Sequence, residues 1–203
     1  MFCSSSCLLS PPLASSRLLL PPSSHQLPVT IYPGNYSSGQ VMQDMSYTSG
    51  QGRSYRYYTG KPLFSFGDGL SYTTFSHNAI AMLTPNTTDL HFSCNVTNTG
   101  ARTGDEVVQV YHKAGDVIRA KATHPVPLKK LIEFERVRLD AGASTTVQFT
   151  VPVKRLALTN SDGDYELYAG DHSTIFSRGN GKDVEVPVAI AQAGLYKNLH
   201  PAA

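Results

Sequence analysis

Residues 90–97 read LHFSCNVT, and their alternation restricts the fold more than any other feature of this 203-residue chain. Leu90, Phe92, Cys94 and Val96 occupy every second place, His91, Ser93, Asn95 and Thr97 stand between them, and a turn follows around Asn98 and Gly100. Successive strand side chains point to opposite faces, so this spacing predicts a half-buried strand with Cys94 in the core and Asn95 toward solvent. A slip of one residue would bury His91, Asn95 and Thr97 together, which pins the register. The texture continues down the chain. GDEVVQVYHKA predicts a strand through Val107 to His112, an apolar stretch runs from Leu128 to Leu139, and TTVQFTV sets Val147, Phe149 and Val151 on one face. Alternation returns at Asp164 to Ala169 and at Val184 to Ile190. About seven short strands with Gly, Pro, Asn or Asp turns, and no long amphipathic helix between them, predict an all-β antiparallel sandwich over residues 76–190.

Three other segments complete the chain. Residues 1–26 are rich in Ser, Pro and Leu with Arg17 their only charged side chain, and Pro11-Pro12 and Pro21-Pro22 break what would have to be a continuous apolar stretch in a secretory signal. This segment is read as a disordered leader, a poor targeting peptide or a gene-start artefact. Residues 27–75 show no sustained period yet carry Tyr32, Tyr36, Tyr47, Tyr55, Tyr57, Tyr58, Phe64, Phe66, Tyr72 and Phe75. Disordered linkers are poor in aromatics, so this extended segment must pack on something. Residues 191–203 are read as a C-terminal tail.

Composition excludes several function classes. The formal net charge is +2, and the one basic cluster, Lys129, Lys130, Arg136 and Arg138, is interrupted by Glu133 and Glu135, so no concentrated phosphate-binding face and no nucleic-acid partner is expected. No apolar run approaches the roughly 20 residues of a membrane span. Cys3, Cys7 and Cys94 make no disulfide framework or zinc spacing, and Cys94 reads as a small core hydrophobe. His77, His91, His112, His124 and His172 stand singly, and Asn160-Ser161-Asp162-Gly163-Asp164 fits a hairpin turn better than a calcium loop, so no metal or cofactor is implied. The Gly67-Asp68-Gly69 turn lacks the third glycine of a dinucleotide fingerprint. The acidic pairs Asp105-Glu106, Glu133 with Glu135, and Asp162 with Asp164 are expected in turns or on solvent-facing strand positions, so no catalytic pair is assigned. Asn35-Tyr36-Ser37, Asn86-Thr87-Thr88 and Asn95-Val96-Thr97 are acceptor triplets for N-glycosylation at Asn35, Asn86 and Asn95.

GRSYRYYTGKPLFSFGDGLSYTTFS, Gly52 to Ser76, resembles the segment that enters the C-terminal fibronectin type III-like domain of glycoside hydrolase family 3. NVTNTGARTGDEVVQVY, LIEFERVRL and GDYELYAG are similar to successive stretches of that domain, so the resemblance runs over residues 27–190. LPVTIYPGNY, MQDMSY and GRSYRYYTG look most like the β-xylosidase branch, with the β-glucosidase branch also similar, and Asp68 stands where the family usually has an aromatic residue or His. The resemblance implies an immunoglobulin/fibronectin type III-like sandwich serving as an accessory module in extracellular xylan breakdown. It also implies that the sugar-cleaving centre lies elsewhere, in a (β/α)8-type barrel and an α/β domain, of which LPVTIYP looks like the last piece. A barrel takes about 250 residues, so the chain alone is expected to be inactive, although the resembled family comprises β-xylosidases, α-arabinofuranosidases and β-glucosidases. Its expected partners are the barrel and α/β domains of a parent enzyme, together with polysaccharide. Tyr55, Tyr57, Tyr58, Phe64, Phe66, Tyr72 and Phe75 are read as a docking seam toward those domains, the competing placement being Phe64, Phe66 and Tyr72 in the sandwich core. A free-standing secreted module that binds carbohydrate or protein is the alternative, although it would call for an exposed row of rings and the chain has no Trp.

Overall fold

The computed structural model describes residues 25–41, 43–85, 88–177 and 183–196. Two short strands, β1 (His25–Gln26) and β2 (Gly69–Leu70), pair with each other, and the short helix α1 (Ser54–Tyr57) lies between them in sequence. The sandwich begins with β3 (Phe75–Pro85) and β4 (Asp89–Asn98), continues through β5 (Gly104–Ala114), the helix α2 (Asp116–Lys121) and β6 (Lys130–Leu139), and then enters β7 (Ser144–Pro152). Beyond it come β8 (Leu158–Thr159), β9 (Tyr165–Leu167), β10 (Gly170–Ser177), β11 (Val184–Ile190) and β12 (Gly194–Tyr196). One sheet has the order β3-β4-β7, the facing sheet β11-β10-β5-β6, and a small third sheet β12-β9-β8. Every paired ladder in them is antiparallel, as the alternation requires. Strand β12 falls in the stretch read as tail and β1 in the stretch read as leader, each because an unpaired edge elsewhere offers it a ladder.

β4 alternates half-buried and buried residues along its whole length, and Leu90, Phe92, Cys94 and Val96 all lie in the core. Phe176 on β10 crosses from the facing sheet, meeting Phe92 edge-on at 5.5 Å and Phe149 of β7 at 5.9 Å between ring centroids. Such edge-to-face pairs add about 0.5–1.5 kcal/mol each to the stabilisation from buried area. Asn160 closes the β8–β9 hairpin as expected, its carboxamide oxygen accepting the amides of Asp162 and Asp164 at 3.0 Å.

β5 departs from the half-buried rule. Its inner residues Val108 and Val110 join the core, while Gln109 and Tyr111 on the opposite face are also buried. Asp105 and Glu106 are buried too, which corrects their placement in a turn or on a solvent-facing position. Asp105 is tied to Arg136 of the neighbouring strand, and Glu106 reaches across to His77 of β3 at 3.0 Å. Burial of carboxylates is tolerated here because each has a positive or hydrogen-bonding partner.

Replacing Phe176 by Ala should cost about 3–5 kcal/mol of unfolding free energy, because the ring is fully buried between the sheets and its loss leaves a cavity. Urea titration followed by circular dichroism checks this. In the same native protein, Cys94 should resist thiol reagents until the sandwich unfolds: burial, with the Glu106 charge adding to it, pushes its pKa up to about 11.

Candidate functional site

Residues 25–31 run antiparallel to 63–70 as a narrow ribbon. Its rungs are His25 with Leu70, Gln26 with Gly69, Leu27 N to Asp68 O at 2.8 Å, and Ile31 N to Phe64 O at 2.9 Å. Within the second arm a tight turn closes between Ser65 and Asp68, the Asp68 amide donating to the Ser65 carbonyl at 3.1 Å and the Asp68 carboxylate accepting the Ser65 amide at 2.6 Å. Asp68 thus supplies a local turn cap at the position where the resembled family has a ring. Gly67 takes φ +86°, and a Cβ there would stand 2.4 Å from the Gln109 carboxamide oxygen. Only glycine meets both demands.

This close approach is how the ribbon is seated on the sandwich. Gln109 donates to the Gln26 side chain at 3.0 Å and accepts the Tyr111 hydroxyl at 2.7 Å. Tyr55 stacks on Phe66 at 4.5 Å and meets Tyr111 edge-on at 5.8 Å, and its own hydroxyl accepts the Leu131 amide at 3.3 Å. The Lys129 ammonium sits 4.5 Å over the Tyr111 ring. Buried under this cover, the Tyr111 hydroxyl is held well above the ordinary tyrosine range. A second aromatic cluster organises the chain that follows the ribbon's first arm: Tyr32 stacks on Tyr36 at 4.0 Å, and Tyr58 packs edge-on against both. Ser54, at φ +57°, donates its amide to the Tyr32 hydroxyl at 2.6 Å, so the GRSYRYY motif is built around a left-handed entry into α1.

The residues read as a seam therefore divide. Tyr58 and Phe75 are each 7% exposed, the first inside the tyrosine cluster and the second in the sandwich core. Tyr55 and Phe66 are half-buried over Tyr111, and Tyr57 is half-buried beside Tyr47. Phe64 and Tyr72 face outward at 51% and 79% exposure, in company with Leu63 at 63% and Leu70 at 90%. Val29 and Ile31 are exposed on the opposing arm. Neither Phe64 nor Tyr72 enters the sandwich core, and Phe66 covers the outside of a sheet rather than its inside. Of the acceptor triplets, Asn35 is exposed, Asn95 is half-buried, and Asn86 lies outside the described residues.

A cleft of about 280 Å³ opens between Thr48, Gln51, Tyr57 and Thr59 on one side and Pro125 and Leu128 on the other, with no charged side chain in its lining. Glu133 is paired with Arg155 at 2.7 Å, and Asp162 lies in the β8–β9 turn. Among the described residues no group of three or more His, Cys, Asp or Glu is placed to hold a metal ion. The histidines are less scattered than their spacing suggests. His112 donates from Nε2 to His172 Nδ1 at 2.8 Å, and His172 Nε2 donates to the Tyr168 carbonyl at 2.9 Å, an acceptor that fixes both tautomers. Tyr168 also reaches His124 at 3.1 Å. Sequence spacing missed this cluster because β5 and β10 bring His112 and His172 together from 60 residues apart.

Burial first, then the His172 neighbour, pushes His112 down to about 3, and burial lowers His172 as well. The unfolded chain takes up protons on both rings below about pH 6.5, whereas the folded chain does not. Their contribution is intact above that pH and is lost as the pH falls toward 3, by at most about 1.4 kcal/mol per pH unit for each ring. Urea unfolding at a series of pH values from 7 to 4.5 should show this decline. His112→Gln keeps a donor toward His172 and should flatten the slope by up to one proton.

Residues 106–176 match the family model of the fibronectin type III-like domain. Beta-glucosidase B of Emericella nidulans is 38% identical over 153 residues, covering 70% of this chain and 17% of that protein. A probable exo-1,4-beta-xylosidase of Aspergillus terreus is 34% identical over 161 residues, covering 72% of this chain and 20% of its own length. Among solved structures, the GH3 beta-glucosidase of Bifidobacterium adolescentis superposes with a TM-score of 0.66 at 25% identity, over 79% of this chain and 25% of that one. Beta-glucosidase 3B of Thermotoga neapolitana in complex with glucose gives 0.62 at 28% identity, over 71% and 19%. The chain thus spans about a fifth of the length of the curated relatives it matches. With the sandwich, the ribbon and these likenesses in agreement, residues 106–176 are a fibronectin type III-like domain, and the chain corresponds to the C-terminal part of glycoside hydrolase family 3 enzymes.

Proposed function

We propose that this chain is the non-catalytic C-terminal module of a β-xylosidase-like glycosidase acting on xylan outside the cell, and that its ribbon docks on the enzyme's barrel and α/β domains. The observation that carries the reading is the set Leu63, Phe64, Leu70 and Tyr72, each more than half exposed although the chain around them is hydrogen-bonded in place. At about 25 cal/mol per Å² of apolar surface removed from water, covering such a set contributes several kcal/mol. Large apolar side chains gathered at high exposure in one short, ordered segment are the mark of an interaction surface. The mixture of aliphatic side chains and rings suits a protein face. A sugar site favours flat rings flanked by hydrogen-bonding side chains, so the free-standing carbohydrate-binding reading has less support. The xylosidase branch is favoured by the Aspergillus relatives, several of them named as exo-1,4-beta-xylosidases.

The chain alone is not expected to hydrolyse aryl xylosides, arabinofuranosides or glucosides. Turnover that disappears on replacing one of its own acidic residues would overturn that. The docking reading is tested by grafting the chain in place of the matching C-terminal part of the Aspergillus terreus relative, with and without Leu63→Ser, Phe64→Ser, Leu70→Ser and Tyr72→Ser together. The unaltered graft should hydrolyse an aryl β-xyloside and melt in one transition. The fourfold variant should lose at least half of the activity and melt in two steps, while the isolated chain with the same changes keeps its melting midpoint and self-associates less. Grafts that behave alike would show that the ribbon does not dock.

A further inference from the structure

We infer that Asn35 is a glycan acceptor and that Asn95, which carries the same kind of triplet, is not. The inference rests on the proposed passage of the chain through a secretory pathway, where such triplets are used. The co-reactant is a lipid-linked oligosaccharide diphosphate. The asparagine carboxamide nitrogen displaces the lipid diphosphate from the anomeric carbon of the sugar and gives up one proton, so the nitrogen and the hydroxyl two residues on must both be presented to a transferase.

Asn35 meets that demand. It follows Pro33 and Gly34 in a turn closed by Tyr36 N to Pro33 O at 3.0 Å, and it stands before the single 3-10 turn Tyr36–Gly39 at φ −83° and ψ 0°. Its side chain makes no capping hydrogen bond to that turn. Asn35 and Ser37 are both exposed, whereas Tyr36 between them turns inward onto Tyr32 and donates its hydroxyl to the Gly52 carbonyl at 3.0 Å. The acceptor amide and the Ser37 hydroxyl are thus held on the outside of a turn anchored from within, and no β ladder ties up this backbone. Asn35 can be reached both before and after the chain folds.

Asn95 is placed in the opposite way. It lies on β4, the central strand of its sheet, paired with Asn78 on one side and Thr146 on the other. Val96 beside it is fully buried, and the Asn95 carboxamide oxygen is buried. The Thr97 hydroxyl is engaged with Ser144 at 2.8 Å. Once β4 has paired, presenting this triplet would require breaking ladders on both edges, so acceptance there is confined to the interval before the sandwich forms.

The test uses the full chain sent into the secretory pathway of a yeast by an added signal peptide, in an Asn86→Gln background that removes the remaining triplet. Because the added peptide supplies entry, a missing glycan counts against the site and not against the secretion reading. Intact mass before and after amidase deglycosylation, with peptide mapping of the Asn to Asp conversion, should place a glycan on Asn35 in at least half of the molecules. Asn35→Gln or Ser37→Ala should abolish it, and Asn95→Gln should leave it unchanged. A glycan mapped to Asn95, or none on Asn35 in secreted protein, overturns the assignment.

Discussion

β5 is hydrogen-bonded along both edges, to β10 and β6, and covered on both faces, with only Val107 and Lys113 half-buried, so the rest of the fold is arranged around a strand that is almost wholly withdrawn from water. Its inner face is covered by the facing sheet. The outer face, at Gln109 and Tyr111, needs a second cover, and the aromatic segment provides it through Tyr55, Phe66 and the bare backbone of Gly67. The segment between the ribbon's arms and the sandwich is therefore part of the folded unit and not a tether. The Gly67 contact leaves the ribbon little freedom to lift, because the Gln109 carboxamide that it closes over is already bound to Gln26 and Tyr111.

Polar side chains collect at the two ends of the same strand. Asp105 and Glu106 are held by Arg136 and His77 near its start, and His112 is held by His172 near its finish. Burying a carboxylate costs desolvation that the attraction of its partner only partly offsets, so such contacts are weak sources of net stability. Breaking one leaves a charge without compensation, which makes displaced registers of β5 costly. The neutral histidine pair avoids the charge altogether at the price of sensitivity to acid. Anchored in this way, the sandwich is a firm base from which Leu63, Phe64, Leu70 and Tyr72 are presented outward.

Much of this was legible beforehand, for a clear reason. Alternation reports burial on one face of a strand, so β4 and β7 could be read residue by residue, and Cys94, Val147, Phe149 and Val151 lie where the period places them. The same rule failed at β5, where both faces are covered and Asp105 and Glu106 looked like solvated turn residues. Contacts with residues about 30 positions away in sequence, His77 to Glu106 and Arg136 to Asp105, leave no local periodic signal. The His112–His172 contact was hidden for the same reason. Within the aromatic segment, ring content announced that packing was required, but could not distinguish a ring that packs inward from one that faces out.

The family motifs, the succession of alternating strands along the chain and the need of residues 27–75 for something to pack on were determined by the sequence itself, since each depends on local composition, spacing or resemblance; the order of the strands within each sheet was not. Tertiary structure alone decided that Phe75 enters the core, that Tyr55 and Phe66 cover Tyr111, and that Phe64 and Tyr72 are left facing out. The physical reason is that a side chain's burial is settled by what lies opposite it. For the ribbon, what lies opposite is a strand more than 30 residues further along the chain, approached closely at Gly67 over Gln109 and tied through Gln26 to the same side chain.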